Sequence, residues 1–82
     1  MKLSIYSLKR ILFQGEVESV NCKTASGEIT VLEHHRPLIS VLKEGVIKII
    51  DKDKKERYIP VSSGFLEVKS NNVRMLADEK SA

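Results

Sequence analysis

Short apolar stretches with a period of two residues recur along this chain, separated by turn residues about every 8 to 12 positions. Because successive side chains of a β-strand point to opposite faces, each stretch has one buried and one solvated face. The pattern predicts an all-β sandwich or barrel. The clearest alternating pairs are Leu3 and Ile5, Ile29 and Val31, and Val73 and Met75.

Two departures from simple alternation are informative. The dense apolar run at 46–50, broken by Lys48, predicts a central strand covered on both sides. Between Val17 and Val20 the alternation shifts by one residue, which predicts a β-bulge at 18–19.

Turn chemistry sets the strand ends, and Pro60 constrains one strand. Since proline lacks an N–H, the strand around Pro60 is predicted at an edge of a sheet or at its own end. Residues 38–43 are compatible with an extended segment or a single helical turn. Turn signals lie at 25–27, 44–45, 51–56, 62–64 and 70–72. The last range contains Asn71 and Asn72, and Asn tolerates a positive φ.

Size and charge exclude several classes of protein. The 82 residues predict one domain, residues 1–82, because a chain of this length supports one small core. The 14 basic and 11 acidic residues are dispersed, unlike the basic arm of a nucleic-acid-binding protein. No apolar run has the length of a membrane span, and the polar interruptions near the start are unlike a secretory signal. We expect the protein to act in the compartment where it is made.

Candidate chemical groups are few. Cys22 is the one cysteine, so an internal disulfide is excluded, and we expect it to be a small core residue. A metal site could be imagined from Glu33, His34, His35 and Cys22, but neighbouring residues of an extended chain point to opposite faces. Cys22 with His35 is the one start for a nucleophilic triad. The sequence predicts no metal, no cofactor and no enzymatic activity.

A binding module of another class stays open as an alternative. Small basic β-barrels bind single-stranded nucleic acid by stacking bases on exposed aromatic side chains. We expect Phe13 and Phe65 to be core residues, which leaves Tyr6 and Tyr58 as a stacking platform. The alternative is a free-standing β-module that binds single-stranded nucleic acid or a small ligand.

Six segments, taken in order and spacing, resemble the N-terminal domain of the epsilon subunit of bacterial F-type ATP synthases, which is called delta in mitochondria. The segments are FQGEVESV at 13–20, GEITVL at 27–32, HRPLI at 35–39, GVIKI at 45–49, VSSGFLEV at 61–68 and NVRMLAD at 72–78. His34 stands where many members have Gly, and Ser63 replaces the first Gly of a common Ser-Gly-Gly.

The resemblance implies a fold. It predicts a flattened β-sandwich of about ten strands in two five-stranded sheets. Family members continue after the Leu-Ala-Asp segment into a helical hairpin. The printed sequence stops at Ala82, so we expect that hairpin to be absent.

The resemblance also implies a function and a set of partners. The domain would bind the gamma subunit and the polar loops of the membrane rotor ring (c-ring), and would couple ion flow to ATP synthesis without catalysing it. It implies a peripheral position on the cytoplasmic face of the inner membrane of a bacterium, with membrane contact only through the complex and no nucleic-acid partner. By position, Gly27, Glu28 and His35 would face the c-ring, all at one end of the sandwich, and Ser7 would lie near gamma.

Overall fold

The computed structural model describes residues 1–80 and contains seven strands joined by short turns. Within this range there is no helix long and apolar enough to cross a membrane. The strands are β1 (Lys2–Tyr6), β2 (Ile11–Thr24), β3 (Gly27–Leu32), β4 (Leu38–Leu42), β5 (Gly45–Asp51), β6 (Glu56–Lys69) and β7 (Asn72–Glu79).

The strands form two packed layers, because β2 and β6 are each 14 residues long and pass from one layer to the other. The first layer, here called the five-stranded layer, runs in the order β4, second half of β6, β7, β1 and first half of β2. The second, four-stranded layer contains β3, the second half of β2, β5 and the first half of β6. All but one of the pairings are antiparallel, and β1 pairs with β7 in parallel.

The all-β sandwich is therefore confirmed, and the strand count differs slightly from the expected ten or so in two five-stranded sheets. Because β2 and β6 continue through their bends, residues 1–80 form seven strands, or nine segments when the halves are counted separately. The hydrogen-bonded ladder consequently links both layers into one folded sheet.

Irregularities in register mark both bends. In β2 the pairing with β5 shifts between Val17 and Ser19, which confirms the predicted bulge. In β6 the pairing with β7 shifts between Val61 and Ser63. Just beyond it, a Cβ on Gly64 would overlap the carbonyl oxygen of Leu76, so only glycine allows the two backbones to approach this closely.

The core lies between the layers and is made of alternating residues from both. The inward positions predicted from the alternation are confirmed for β1 and β7, where Leu3, Ile5, Val73 and Met75 are buried. The strand β5 is hydrogen-bonded on both edges, but only one of its faces is covered: Ile49 is fully buried and Val46 is 47% exposed. The expectation that the run at 46–50 is covered on both sides is wrong, since nothing within residues 1–80 packs on the outer face of this layer.

The ambiguous segments resolve as strands and turns. Residues 38–42 form β4, so this segment is extended and not a helical turn. Pro60 lies in the half of β6 that forms an edge of the four-stranded layer, as predicted. Ser70 and Asn71 both have positive φ, 52° and 60°, as a two-residue type I′ hairpin requires.

The turns gather at two ends of the sandwich. One end, here called the tip end, contains the β1–β2, β2–β3 and β4–β5 turns and the end of β7. The other, here called the clamp end, contains the start of β1 and the β3–β4, β5–β6 and β6–β7 connections.

The single covered face of β5 predicts unequal effects of truncation. Ile49→Ala should lower the free energy of unfolding by about 2 to 5 kcal/mol, because it leaves a cavity in the core. Val46→Ala, the matched control on the open face of the same strand, should cost less than about 1 kcal/mol. Denaturant unfolding of both variants checks this, and equal losses would contradict the assignment of faces.

Candidate functional site

The outer face of the five-stranded layer carries a row of exposed apolar side chains. Val41 pairs with Phe65, Phe65 pairs with Leu76, and Leu76 pairs with Tyr6, so four strands contribute one residue each. Directly opposite residues on neighbouring strands have their Cβ atoms about 4.5 to 5.5 Å apart, which makes these side chains contiguous. We call this set the apolar row. Ile39 and Leu8 extend it at either side.

Phe65 is 60% exposed within this row, so the expectation that it fills the core is wrong. Its strand position explains the difference: Phe65 shares a face with Glu67 and Lys69, while Leu66 and Val68 point inward. The polar character of the neighbours at alternate positions was the signal in the sequence that could have revealed it. Phe13, by contrast, packs against the core, as expected.

The outer face of the four-stranded layer is different, because its side chains are mainly polar and bind one another. Lys48 Nζ lies 2.9 Å from Glu56 Oε1, and the hydroxyl of Tyr58 donates to the same oxygen at 3.0 Å. The amide of Asn21 donates to Thr30 Oγ1 at 2.9 Å. Leu32 and Val46 are also exposed on this face, but among residues 1–80 the exposed apolar side chains that pair directly across four strands lie on the five-stranded layer.

Gly27 and Glu28 lie at the tip end, where β3 begins. Gly27 has a φ of 117°, which residues with a side chain rarely adopt. A Cβ there would meet nothing within 4 Å, so glycine is favoured by the backbone conformation and not by a lack of space. The carboxylate of Glu28 is exposed and accepts a hydrogen bond from the Asn21 amide at 3.2 Å. The hairpin tip thus presents a negative charge held by its own sheet.

His35 lies at the clamp end, beyond the far end of β3. Gly27 and Glu28 begin β3 and His35 follows its end, so the length of the strand, at about 3.3 Å per residue, separates them. The expectation that His35 and Glu28 share one end of the sandwich is therefore wrong. The His35 ring interacts locally, with Nδ1 2.7 Å from the carbonyl oxygen of Arg36.

Ser7 lies in the β1–β2 turn at the tip end and stabilises that turn. Its hydroxyl accepts hydrogen bonds from the backbone N–H groups of Lys9 and Arg10, at 3.1 and 3.0 Å. The side chain of Arg10 then pairs with Glu79 at 2.6 Å, which joins the turn to the end of β7. Ser7 is adjacent to Leu8, at the margin of the apolar row.

The clamp end is organised around the carboxylate of Glu33. It accepts hydrogen bonds from the amine of Met1, the amide of Asn71 at 2.8 Å and the ammonium of Lys52 at 3.3 Å. These donors, the Met1 amine foremost, lower the pKa of Glu33 to about 2. The Asn71 side chain also accepts from the backbone N–H of His34 at 2.9 Å, and this holds His34 at a φ of 64° that glycine would adopt more easily.

The residues considered for metal binding and nucleophilic chemistry are not brought together. Cys22 is buried in the core, which raises its pKa to about 11 and keeps the thiol protonated at neutral pH. Glu33 and His34 are exposed at the clamp end. Within residues 1–80, no three His, Cys, Asp or Glu side chains are grouped as metal ligands.

The two tyrosines do not form one stacking platform. Tyr6 is half-buried in the apolar row on the five-stranded layer, and Tyr58 is exposed on the outer face of the other layer. A single strand of nucleic acid could not stack on both at once.

Fold and surfaces together define a small all-β domain with one apolar face suited to protein association. The sequence matches the family described as ATP synthase, Delta/Epsilon chain, beta-sandwich domain, over residues 1–81. The chain belongs to this family, which confirms the resemblance seen in the sequence.

Two solved structures share the fold. One is a chain of the Euglena gracilis mitochondrial ATP synthase, from a structure of the OSCP, F1 and c-ring, with a TM-score of 0.87, 23% identity, and coverage of 94% of this chain and 49% of that one. The other is a chain of the Tetrahymena thermophila mitochondrial ATP synthase central stalk and c-ring, with a TM-score of 0.80, 13% identity, and coverage of 96% and 63%. This chain thus spans about half of the first relative and less than two thirds of the second.

The lowered pKa of Glu33 predicts a pH dependence of stability. A carboxylate whose pKa is lowered from 4.5 to about 2 stabilises the folded state fully above its ordinary pKa, and this contribution is lost as the pH falls toward 2. The melting temperature of the wild-type chain should therefore fall more steeply between about pH 5 and pH 2 than that of Glu33→Gln. If the melting temperatures of the two proteins fall in parallel over this pH range, the Glu33 carboxylate does not stabilise the clamp end.

Proposed function

We propose that this chain is a central-stalk subunit of a rotary F-type ATP synthase, where it binds the gamma subunit and the polar loops of the c-ring. In this role it couples ion translocation to ATP synthesis mechanically and has no catalytic activity of its own. It is a peripheral protein on the membrane surface that carries the complex, which in a bacterium is the cytoplasmic face of the inner membrane. Family membership and the likeness to stalk chains support the proposal.

The observation that carries the proposal is the apolar row on one face only. An open apolar surface built from four strands fits a broad protein partner better than a small ligand, which needs an enclosed site. We assign this face to gamma. The resemblance places Ser7 near gamma. This agrees with the assignment, because the turn that contains Ser7 borders the apolar row through Leu8.

We assign the tip end to the c-ring, through Gly27 and Glu28. An exposed carboxylate on a hairpin can form charge-assisted hydrogen bonds with basic or amide side chains of a facing loop. Its bond to Asn21 limits the freedom of the Glu28 side chain before any partner arrives. His35 does not join this contact, since it lies at the clamp end.

The gamma assignment predicts a difference between two aromatic side chains of similar exposure. Phe65→Ser should weaken binding to purified gamma about tenfold or more, because exposed aromatic residues at the centre of an interface carry much of the affinity. Tyr58→Ser is the matched control, since Tyr58 is 58% exposed on the opposite face. Titration of the labelled chain with gamma measures the affinity of both variants. Equal losses of affinity would show that gamma does not bind through the apolar row.

The c-ring assignment predicts that Glu28→Lys weakens retention on ring-containing membranes while the melting temperature stays nearly unchanged. A reversed charge at an interface is repelled, whereas an exposed turn charge contributes little to stability. Asp53→Lys makes the same charge change in the β5–β6 turn at the clamp end and should leave retention intact. Full retention of the Glu28 variant would end the assignment.

A further inference from the structure

Beside the apolar row, toward the clamp end, the five-stranded layer has an open groove of about 370 Å³. Its walls are two cross-strand rows on the outer face. One row contains Lys69, Asn72 and Lys2 and ends at Glu16 of β2, and the next contains Glu67, Arg74 and Ser4. We call this feature the basic groove.

The basic groove has an excess of positive charge. Its lining contains three cations, Lys2, Lys69 and Arg74, against one carboxylate, Glu67. Among the described residues, Lys2 and Lys69 have no acidic partner within salt-bridge distance, and Arg74 lies 3.9 Å from Glu67. Because neighbouring strands are about 4.8 Å apart, the three cations repel one another across two strand spacings. An incoming anion would relieve this repulsion.

The groove is continuous with the apolar row. Tyr6, Glu67 and Arg74 line both the groove and the adjoining hollow that contains Phe65 and Leu76. A partner that covers the apolar row therefore also reaches the three cations.

The anion that fits is a discrete carboxylate. A continuous anionic surface, such as a membrane of acidic lipids or a nucleic-acid backbone, would also have to face Glu67 in the wall of the groove, Glu16 beside Lys2 and Asp78 on the same outer face. A single Asp or Glu side chain can instead bind between Arg74 and the lysines, where a guanidinium and an ammonium offer charge-assisted hydrogen bonds.

We propose that the basic groove binds a carboxylate-bearing segment of the same protein partner that covers the apolar row, and that it fixes the rotational register of that partner on the sheet. The inference rests on the proposed association with gamma. It adds the chemistry of the partner surface: an apolar patch with an acidic side chain beside it.

The test uses the full 82-residue chain and the purified gamma subunit of the same ATP synthase. Affinity is measured at low and at high salt, because paired charges at an interface weaken as salt is added. The triple variant Lys2→Gln, Lys69→Gln, Arg74→Gln should bind gamma about tenfold more weakly at low salt and lose most of the salt dependence. Phe65→Ser should weaken binding at both salt concentrations and keep the salt dependence.

The control variant Lys52→Gln, Lys54→Gln, Lys55→Gln removes the same net charge from the β5–β6 turn and should bind like the wild-type chain. If wild type binds gamma and the groove variant matches it at both salt concentrations, the groove inference is overturned and the stalk assignment stands. If wild type does not bind gamma at all, the stalk assignment itself fails. If the groove variant loses binding to phosphatidylglycerol vesicles while its affinity for gamma is unchanged, the groove is a lipid site and the inference is overturned.

Discussion

The fold depends on two strands that belong to both layers. β2 and β6 together supply 28 residues, and each pairs with different neighbours before and after its bend. Without these bends neither layer could be laid over the other by the short turns that the chain provides. The bulge at 18–19 and the close backbone approach at Gly64 lie at these bends, so they position the two layers that enclose the core.

The bends also determine how the surfaces differ. Since each long strand alternates in and out of the core, its outward residues before and after the bend lie on opposite faces of the molecule. β6 thus contributes Tyr58 to the polar face and Phe65 to the apolar row. At the clamp end the carboxylate of Glu33 joins three connections, so ordered polar contacts hold the layers there while the five-stranded face stays open.

Much of the fold could be predicted from the sequence, and the errors of the prediction have physical causes. Alternation identified the inward residues of β1 and β7, and the slip between Val17 and Val20 identified a bulge. The strand count was too high because β2 and β6 keep their hydrogen bonds through their bends, and the turn signal at 62–64 lies at the bend of β6 and not at a strand end. The exposure of Phe65 was missed because hydrophobicity alone does not say which face of a sheet is covered by another layer.

The candidate site was harder to predict from the sequence than the fold was. Gly27 and Glu28 were placed correctly at a hairpin tip because the turn signal is local. His35 was placed at the same end as Glu28 by the resemblance, whereas β3, which ends at Leu32, separates it from Glu28. The apolar row was invisible, since it joins residues from four strands that only the register brings together.

Continuous strands have a mechanical consequence. A load applied to the five-stranded face reaches the four-stranded layer along two covalent backbones and their hydrogen-bond ladders, and does not depend on side chains sliding across an apolar seam. Shear between the layers must stretch or bend β2 and β6 before the core can slip. Twist imposed at one face is therefore resisted by backbone and hydrogen bonds as well as by side-chain packing.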